Sequence, residues 1–152
     1  MNSLEHLREL FAFNDWANSR LVFALRDAPS EKALRILAHI LTTEQEYFER
    51  LYGKDSTGFD FWPKRSREEC KDLVRENAER YLNLLKNFDD EGLDLTTNYK
   101  TSEGIAYRNT YREMLTHVLY HSMSHRGQVN SALRQDGFEP VAVDYIIYLR
   151  NS

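Results

Sequence analysis

The sequence predicts an all-α fold: four long helices, a long connection between the third and fourth, and a short element at the C-terminus. Three observations carry this expectation. In four segments the apolar residues recur at the spacing of one helix face. Gly and Pro fall almost entirely between those segments. Each of the last three segments opens on a Ser or Thr able to accept from the free N–H groups of a helix start.

The first helix runs from Ser3 to about Ala28, with Leu4, Leu7, Leu10, Phe11, Ala17, Leu21, Val22 and Leu25 on its apolar stripe. Asn14 and Asn18 fall inside that stripe, where an unpaired amide is costly, so both need polar partners. Phe13 and Trp16 lie off its centre and suit a partner helix or a dimer interface. Pro29 ends this helix, and Ser30 caps the second, which runs to about Tyr52 with Gly53 at its C-cap. Glu44 lies at the centre of the second helix's apolar face, whereas His39 lies about 140° from it, the position of a solvent-facing histidine. A carboxylate at a core position needs a partner: an Arg, a metal ion, or an escape to solvent.

Between Gly53 and Arg65 the chain reads as loop, yet it carries Phe59, Phe61 and Trp62, and so many rings fit a segment folded back over the helices as a pocket wall. Ser66 and Glu69 form a capping-box pattern for a third helix reaching about Phe88. From Asp89 to Asn109 the helical period stops and short alternating pieces appear, which suggests a crossover with a short hairpin. Thr110 and Glu113 then open the fourth helix, which runs to Asp136 and ends before Gly137. The apolar stretch Val141 to Leu149 reads as a terminal helix or strand packed on the helices or on a partner subunit.

With 152 residues the chain suits a single domain spanning 1–152. The balance of 20 basic and 24 acidic residues, net charge -4, lacks the basic surplus that nucleic-acid binding calls for. No apolar run is long enough to span a membrane, and nothing at the N-terminus resembles a signal peptide. The lone Cys70 excludes an internal disulfide. Together these readings lead to the expectation of a cytoplasmic protein with no membrane or nucleic-acid partner.

The chemistry is concentrated on the fourth helix, where His117, His121 and His125 follow at four-residue intervals. Residues four apart on a helix are neighbours on one face, so two of these imidazoles can hold one metal ion. His125 lies about 40° from the centre of the helix's apolar stripe, His121 about 80° and His117 about 120°, which makes His121 and His125 the better pair. Ser122, Met123 and Ser124 stand between them, so the Glu of a zincin protease motif is missing. No Glu stands three residues before any His, which excludes the Glu-x-x-His of ferritin-like di-iron sites. Gly127 in mid-helix costs helix stability and suggests close approach of a neighbouring helix.

The run His117 to Gln128, with its His-Arg-Gly-Gln piece, resembles the signature of the DinB (YfiT-like) family. Phe13 to Asn18 resembles that family's opening helix, and Leu37 to Ile40 with Glu44 and Phe48 resembles its second. The resemblance implies a four-helix bundle, usually a homodimer, with one divalent ion, nickel or zinc, on three histidines. Carried onto this sequence these are His39, His121 and His125, against the outward placement of His39 on the helical wheel.

Three neutral imidazoles leave a divalent ion its full charge and an open position, the pattern of catalytic rather than structural sites. The expected function is metal-dependent chemistry on a small-molecule substrate, with either a water activated for hydrolysis or a low-molecular-weight thiol activated for S-transfer. The resemblance favours the thiol. Asn14, Glu44 and Arg126 are candidates for supporting the ligands or touching substrate. The alternative is a non-catalytic, stress-associated metal-binding bundle in which Glu44 or a partner-chain residue fills the fourth position. A third reading leaves the histidines as ordinary core and surface residues.

Overall fold

The computed structural model describes residues 1–151. Helices α1 (Ser3–Ala24), α2 (Glu31–Arg50) and α3 (Arg67–Lys86) are followed by a 3-10 turn at Glu91–Asp94 and strands β1 (Thr96–Lys100) and β2 (Ala106–Thr110). Helices α4 (Tyr111–Gln135) and α5 (Tyr145–Arg150) complete the chain. The expected capping residues do their work. Ser66 with Glu69 and Thr110 with Glu113 form complete capping boxes, and Ser30 accepts from the backbone of Ala33. Gly53 (φ +84) and Gly137 (φ +83) take the left-handed conformation just past α2 and α4, which a side chain strains to adopt.

The expectation of an all-α chain is too narrow. The connection after α3 pairs into an antiparallel hairpin, with Thr96 opposite Thr110 and Lys100 opposite Ala106. The reason is local: a connection this long must satisfy its backbone groups, and its Thr and Tyr residues favour a strand ladder. The hairpin is tied to α2 through the Thr97 hydroxyl, which donates to the Arg50 carbonyl at 3.4 Å.

α2 packs on α4 and α3, while α1 packs chiefly on α3. Their contacts make two apolar clusters. One holds Ala17, Leu21, Leu37, Leu41, Val74 and Val129, and the other holds Leu7, Phe11, Leu51, Tyr81, Leu115 and Val118. On every one of the four long helices a buried polar residue falls between the two: Asn14 and Asn18 on α1, Glu44 on α2, Asn77 on α3, Ser122 and Arg126 on α4. α5 lies on α1, where Tyr145 and Tyr148 meet the rings of Phe13 and Trp16, so those two off-stripe aromatics cover the C-terminal helix of their own chain. No described helix is long and apolar enough to cross a membrane.

Gly127 corrects another expectation. A Cβ built on it meets nothing within 4 Å, so no neighbouring helix approaches there. The helix bears the cost of a flexible residue without a packing gain inside this chain. Gly127→Ala should therefore raise stability by about 1 kcal/mol, read as a higher midpoint in urea at unchanged slope.

Candidate metal centre

α2 and α4 run antiparallel: Tyr47 lies against His117 and the Tyr111 hydroxyl donates to the Leu51 carbonyl, so the early part of α2 faces the later part of α4. That register brings His39 against His121 and His125. Ring centroids are 4.9 Å apart for His39 and His121, 4.7 Å for His39 and His125, and 4.4 Å for His121 and His125. One nitrogen from each ring lies within 4.8 Å of the others, close enough for the three to share one ion. His6 and His117 stand outside this group. His117 is exposed, its ring resting on Tyr47 at 5.0 Å.

The helical wheel set His39 opposite the apolar stripe of α2, and the structure keeps it there but buries it, at 6% exposure. The far face of α2 is covered by the aromatic loop. Trp62 stacks flat on the imidazole, centroids 3.7 Å apart and planes 2° from parallel. The expectation of a solvent-facing histidine fails because a helix face turned from the apolar core still has a loop to lie under. The loop is fastened to α2 by Arg50 donating to the Ser56 hydroxyl at 2.9 Å, Arg65 donating to Thr42 at 2.9 Å, and a Lys54–Glu46 ion pair at 2.6 Å.

Protonation follows from the partners. The Phe61 carbonyl can only accept, so the 2.6 Å contact places the proton of His39 on Nδ1 and leaves the Nε2 lone pair free. That Nε2 faces Nε2 of His121 at 3.1 Å. His125 Nδ1 meets the side-chain oxygen of Gln128 at 2.7 Å, which likewise frees its Nε2. Burial, and then the neighbouring histidines, push His121 from the ordinary 6.5 down to about 3. Burial also lowers His39, outweighing the Phe61 carbonyl, which favours its charged form. At neutral pH the rings of His39 and His121 are therefore uncharged and able to ligate.

These residues fit a divalent ion. Two nitrogens each about 2.0–2.1 Å from one tetrahedral ion lie about 3.3 Å apart, close to the separation of the His39 and His121 pair. Without an ion, His121 must spend its proton on Nε2 to face His39, and its buried Nδ1 stays without a partner. With both Nε2 lone pairs engaged, the proton moves to Nδ1.

Glu44 is not among the grouped donors. Its Oε2 accepts from Asn14 at 2.9 Å, Asn18 at 2.9 Å and the Ser122 hydroxyl at 2.7 Å, and its Oε1 accepts from Asn77 at 3.4 Å. Arg126 reaches it through the asparagines, donating to Oδ1 of Asn14 at 2.6 Å and of Asn18 at 3.0 Å. So Asn14, Glu44 and Arg126 form a buried relay of hydrogen bonds that locks α1, α2 and α4 together. They support the histidine helix from behind, since Ser122 adjoins His121. Asn77 and Ser122 escape the sequence reading, although both are polar residues on apolar stripes, the same signal that singles out Asn14 and Asn18.

Cys70 is buried, and burial pushes its thiol up to about 11, so it is a core residue rather than a nucleophile. On the outer side of Trp62 a cavity of about 440 Å³ is lined by Arg35, Lys64 and Arg65.

The chain is similar to "Protein DinB" of Bacillus subtilis (strain 168), 28% identical over 160 residues that cover 93% of this chain and 92% of the relative. It is also similar to "Uncharacterized protein YizA" of the same organism, 24% identical over 116 residues, 76% of this chain and 72% of that protein. No solved structure shows significant similarity to it. The family model described as "DinB family" matches residues 2–152, and the chain belongs to the DinB family.

Proposed function

We propose that this protein is a metal-dependent enzyme acting on a small substrate, with nickel or zinc held by His39, His121 and His125. The observation that carries the reading is the convergence of three imidazole nitrogens, two of them at 3.1 Å on uncharged rings. Bound there, such an ion supplies Lewis acidity that lowers the pKa of a coordinated water or thiol.

The chain's own residues hold the geometry. The Phe61 carbonyl fixes the His39 tautomer, Trp62 shields that ring from water, and the Glu44 network sets α4 against α2. No carboxylate joins the histidine group among the described residues, and Glu44 has its oxygens taken. An all-imidazole set preserves the charge that stabilises a bound thiolate or hydroxide alike, and it is the family resemblance that favours S-transfer over hydrolysis. In that reaction the thiol gives its proton to solvent, and its sulfur forms the bond to carbon as the leaving group departs with the electron pair. The same reading takes the protein as a homodimer, as the family resemblance implies, and as cytoplasmic, in keeping with its single cysteine.

One neighbour refines the site. Thr43, one turn beyond His39 and buried, has a hydroxyl without a partner, as does Nδ1 of His121 on the facing helix. Once Nε2 of His121 is a ligand, its Nδ1–H needs an acceptor, and the Thr43 hydroxyl, which makes no bond to it in the structure, would have to turn toward it to take that role. Thr43→Val should weaken metal affinity about ten-fold, within the range for lost outer-shell partners, and Thr43→Ser should restore it, read by chelator competition.

Incubating nickel- or zinc-loaded protein with an alkylating electrophile and a panel of low-molecular-weight thiols tests the reaction. Turnover above background with one thiol class, lost in His121→Ala, supports the transferase; background rates with every thiol overturn it.

A further inference from the structure

A second site lies between α1 and α3. A groove of about 580 Å³ runs between the two helices, within the size range of small-molecule pockets. Its walls are apolar, with Val22 and Val74 inside and Phe23 (63% exposed) and Leu82 (49% exposed) along the rim. Arg26, Arg67, Lys71 and Arg75 crowd one end, while only Asp15 and Glu79 stand toward the other. The lining itself carries four cations against two carboxylates, in a chain of net charge -4.

Most of the cations remain available, although Arg67 spends its Nε on the Val22 carbonyl at 2.9 Å. Arg26, Arg67 and Arg75 pair with their near neighbours Asp27, Glu68 and Asp72 at 3.2, 3.2 and 3.9 Å. All of these carboxylates are well exposed, and such pairs are weak in water. Lys71 has no ion-pair partner among the described residues. The far end has a different character. It shares Asp15, Val74, Ala78 and Leu82 with a smaller cavity of about 100 Å³ that reaches Glu44 and Asn77. Burial holds the Asp15 carboxyl above its usual range, so this end is already poorly hydrated.

We propose that the α1–α3 groove binds a small amphipathic anion, with its carboxylate among Arg26, Arg67, Lys71 and Arg75 and its apolar chain laid along Phe23, Val74 and Leu82 toward Asp15. The carboxylates at the far end set the orientation by repelling the head group. Lys71 to Leu82 spans about 16 Å of helix axis, room for a medium-length acyl chain. A second copy of this protein suits the groove less well: a two-fold axis can set the cationic end against the acidic end, but two carboxylates leave two of the four lining cations on each side unmatched. The site is separate from the histidines, which lie on α2 and α4.

Isothermal titration of the full chain with decanoate and with decylammonium, both below their micelle concentrations, tests the proposal. Decanoate should bind saturably at one site per chain, with decylammonium at least about ten-fold weaker, a factor within reach of a few partly exposed ion pairs. Lys71→Glu with Arg75→Glu should erase that preference, and Leu82→Asp should weaken both ligands, with helix content by circular dichroism unchanged in each. Metal-free and metal-loaded protein should bind decanoate alike, which separates this site from the histidine centre. Equal binding of the two ions, binding indifferent to the charge reversal, no saturable binding, binding only to anionic vesicles, or self-association that decanoate leaves intact would each overturn it.

Discussion

Arg126→Ala should destabilise the protein by about 3–5 kcal/mol, the loss that follows when one partner of a buried charge pair is removed. Arg126 is 2% exposed and Glu44 is likewise 2% exposed, so neither charge can turn to water for relief. Their attraction is bridged: each asparagine presents its oxygen to the guanidinium and its amide nitrogen to the carboxylate. Burial lowers the guanidinium to about 10, against the favourable charge of Glu44, which keeps Arg126 protonated at neutral pH. Removing it leaves the carboxylate buried with only neutral donors and leaves two amide oxygens facing a void. For a chain of this length the melting midpoint should fall by roughly 10 °C. The double variant Glu44→Gln with Arg126→Met should lose less than the sum of its single variants, because the second change removes a charge that the first left stranded. Strict additivity in thermal or urea melts would show that the two charges do not sense one another through the asparagines.

His39→Ala should cost more metal affinity than the 10–100-fold, about, that loss of an outer-shell partner brings, because it removes a ligand rather than a support. The variant also deprives Trp62 of the ring it stacks on, yet its fold should survive, since His39 lies off the two apolar clusters. His117→Ala provides the contrast. That residue is exposed and outside the group of converging nitrogens, so its loss should leave affinity within a few-fold of the parent, read by chelator competition. A large loss from His117→Ala with none from His39→Ala would place the ion along α4 alone.

The four long helices were legible because their signals are local: stripe period, a capping residue at the start of the last three, and glycine at two ends. The pair on α4 was legible for the same reason, as spacing along one helix decides what shares a face. His39 was not legible from periodicity, because its burial depends on a loop that crosses α2 from more than twenty residues away and lays Trp62 on its ring. The aromatic content of that loop was the available signal, and it points to a folded wall without saying which residue lies beneath. The role of Glu44 was half legible. Its core position demands partners, but which ones depends on how four helices meet, and Asn77 and Ser122 emerge only from that meeting. The hairpin was legible as alternating pieces between Asp89 and Asn109, but its register was not, because ladder pairing is decided between segments, not within them. Gly127 misled because its cost is visible in sequence while the open space beside it is not.

Metal content of untagged protein, measured by elemental analysis after exposure to nickel or zinc and extensive dialysis, tests the central claim most directly. The account predicts one tightly held divalent ion per chain, none in His39→Ala, His121→Ala or His125→Ala, and an undiminished ion in His117→Ala. An ion retained by any of the first three variants, or lost on changing His117 alone, would contradict it.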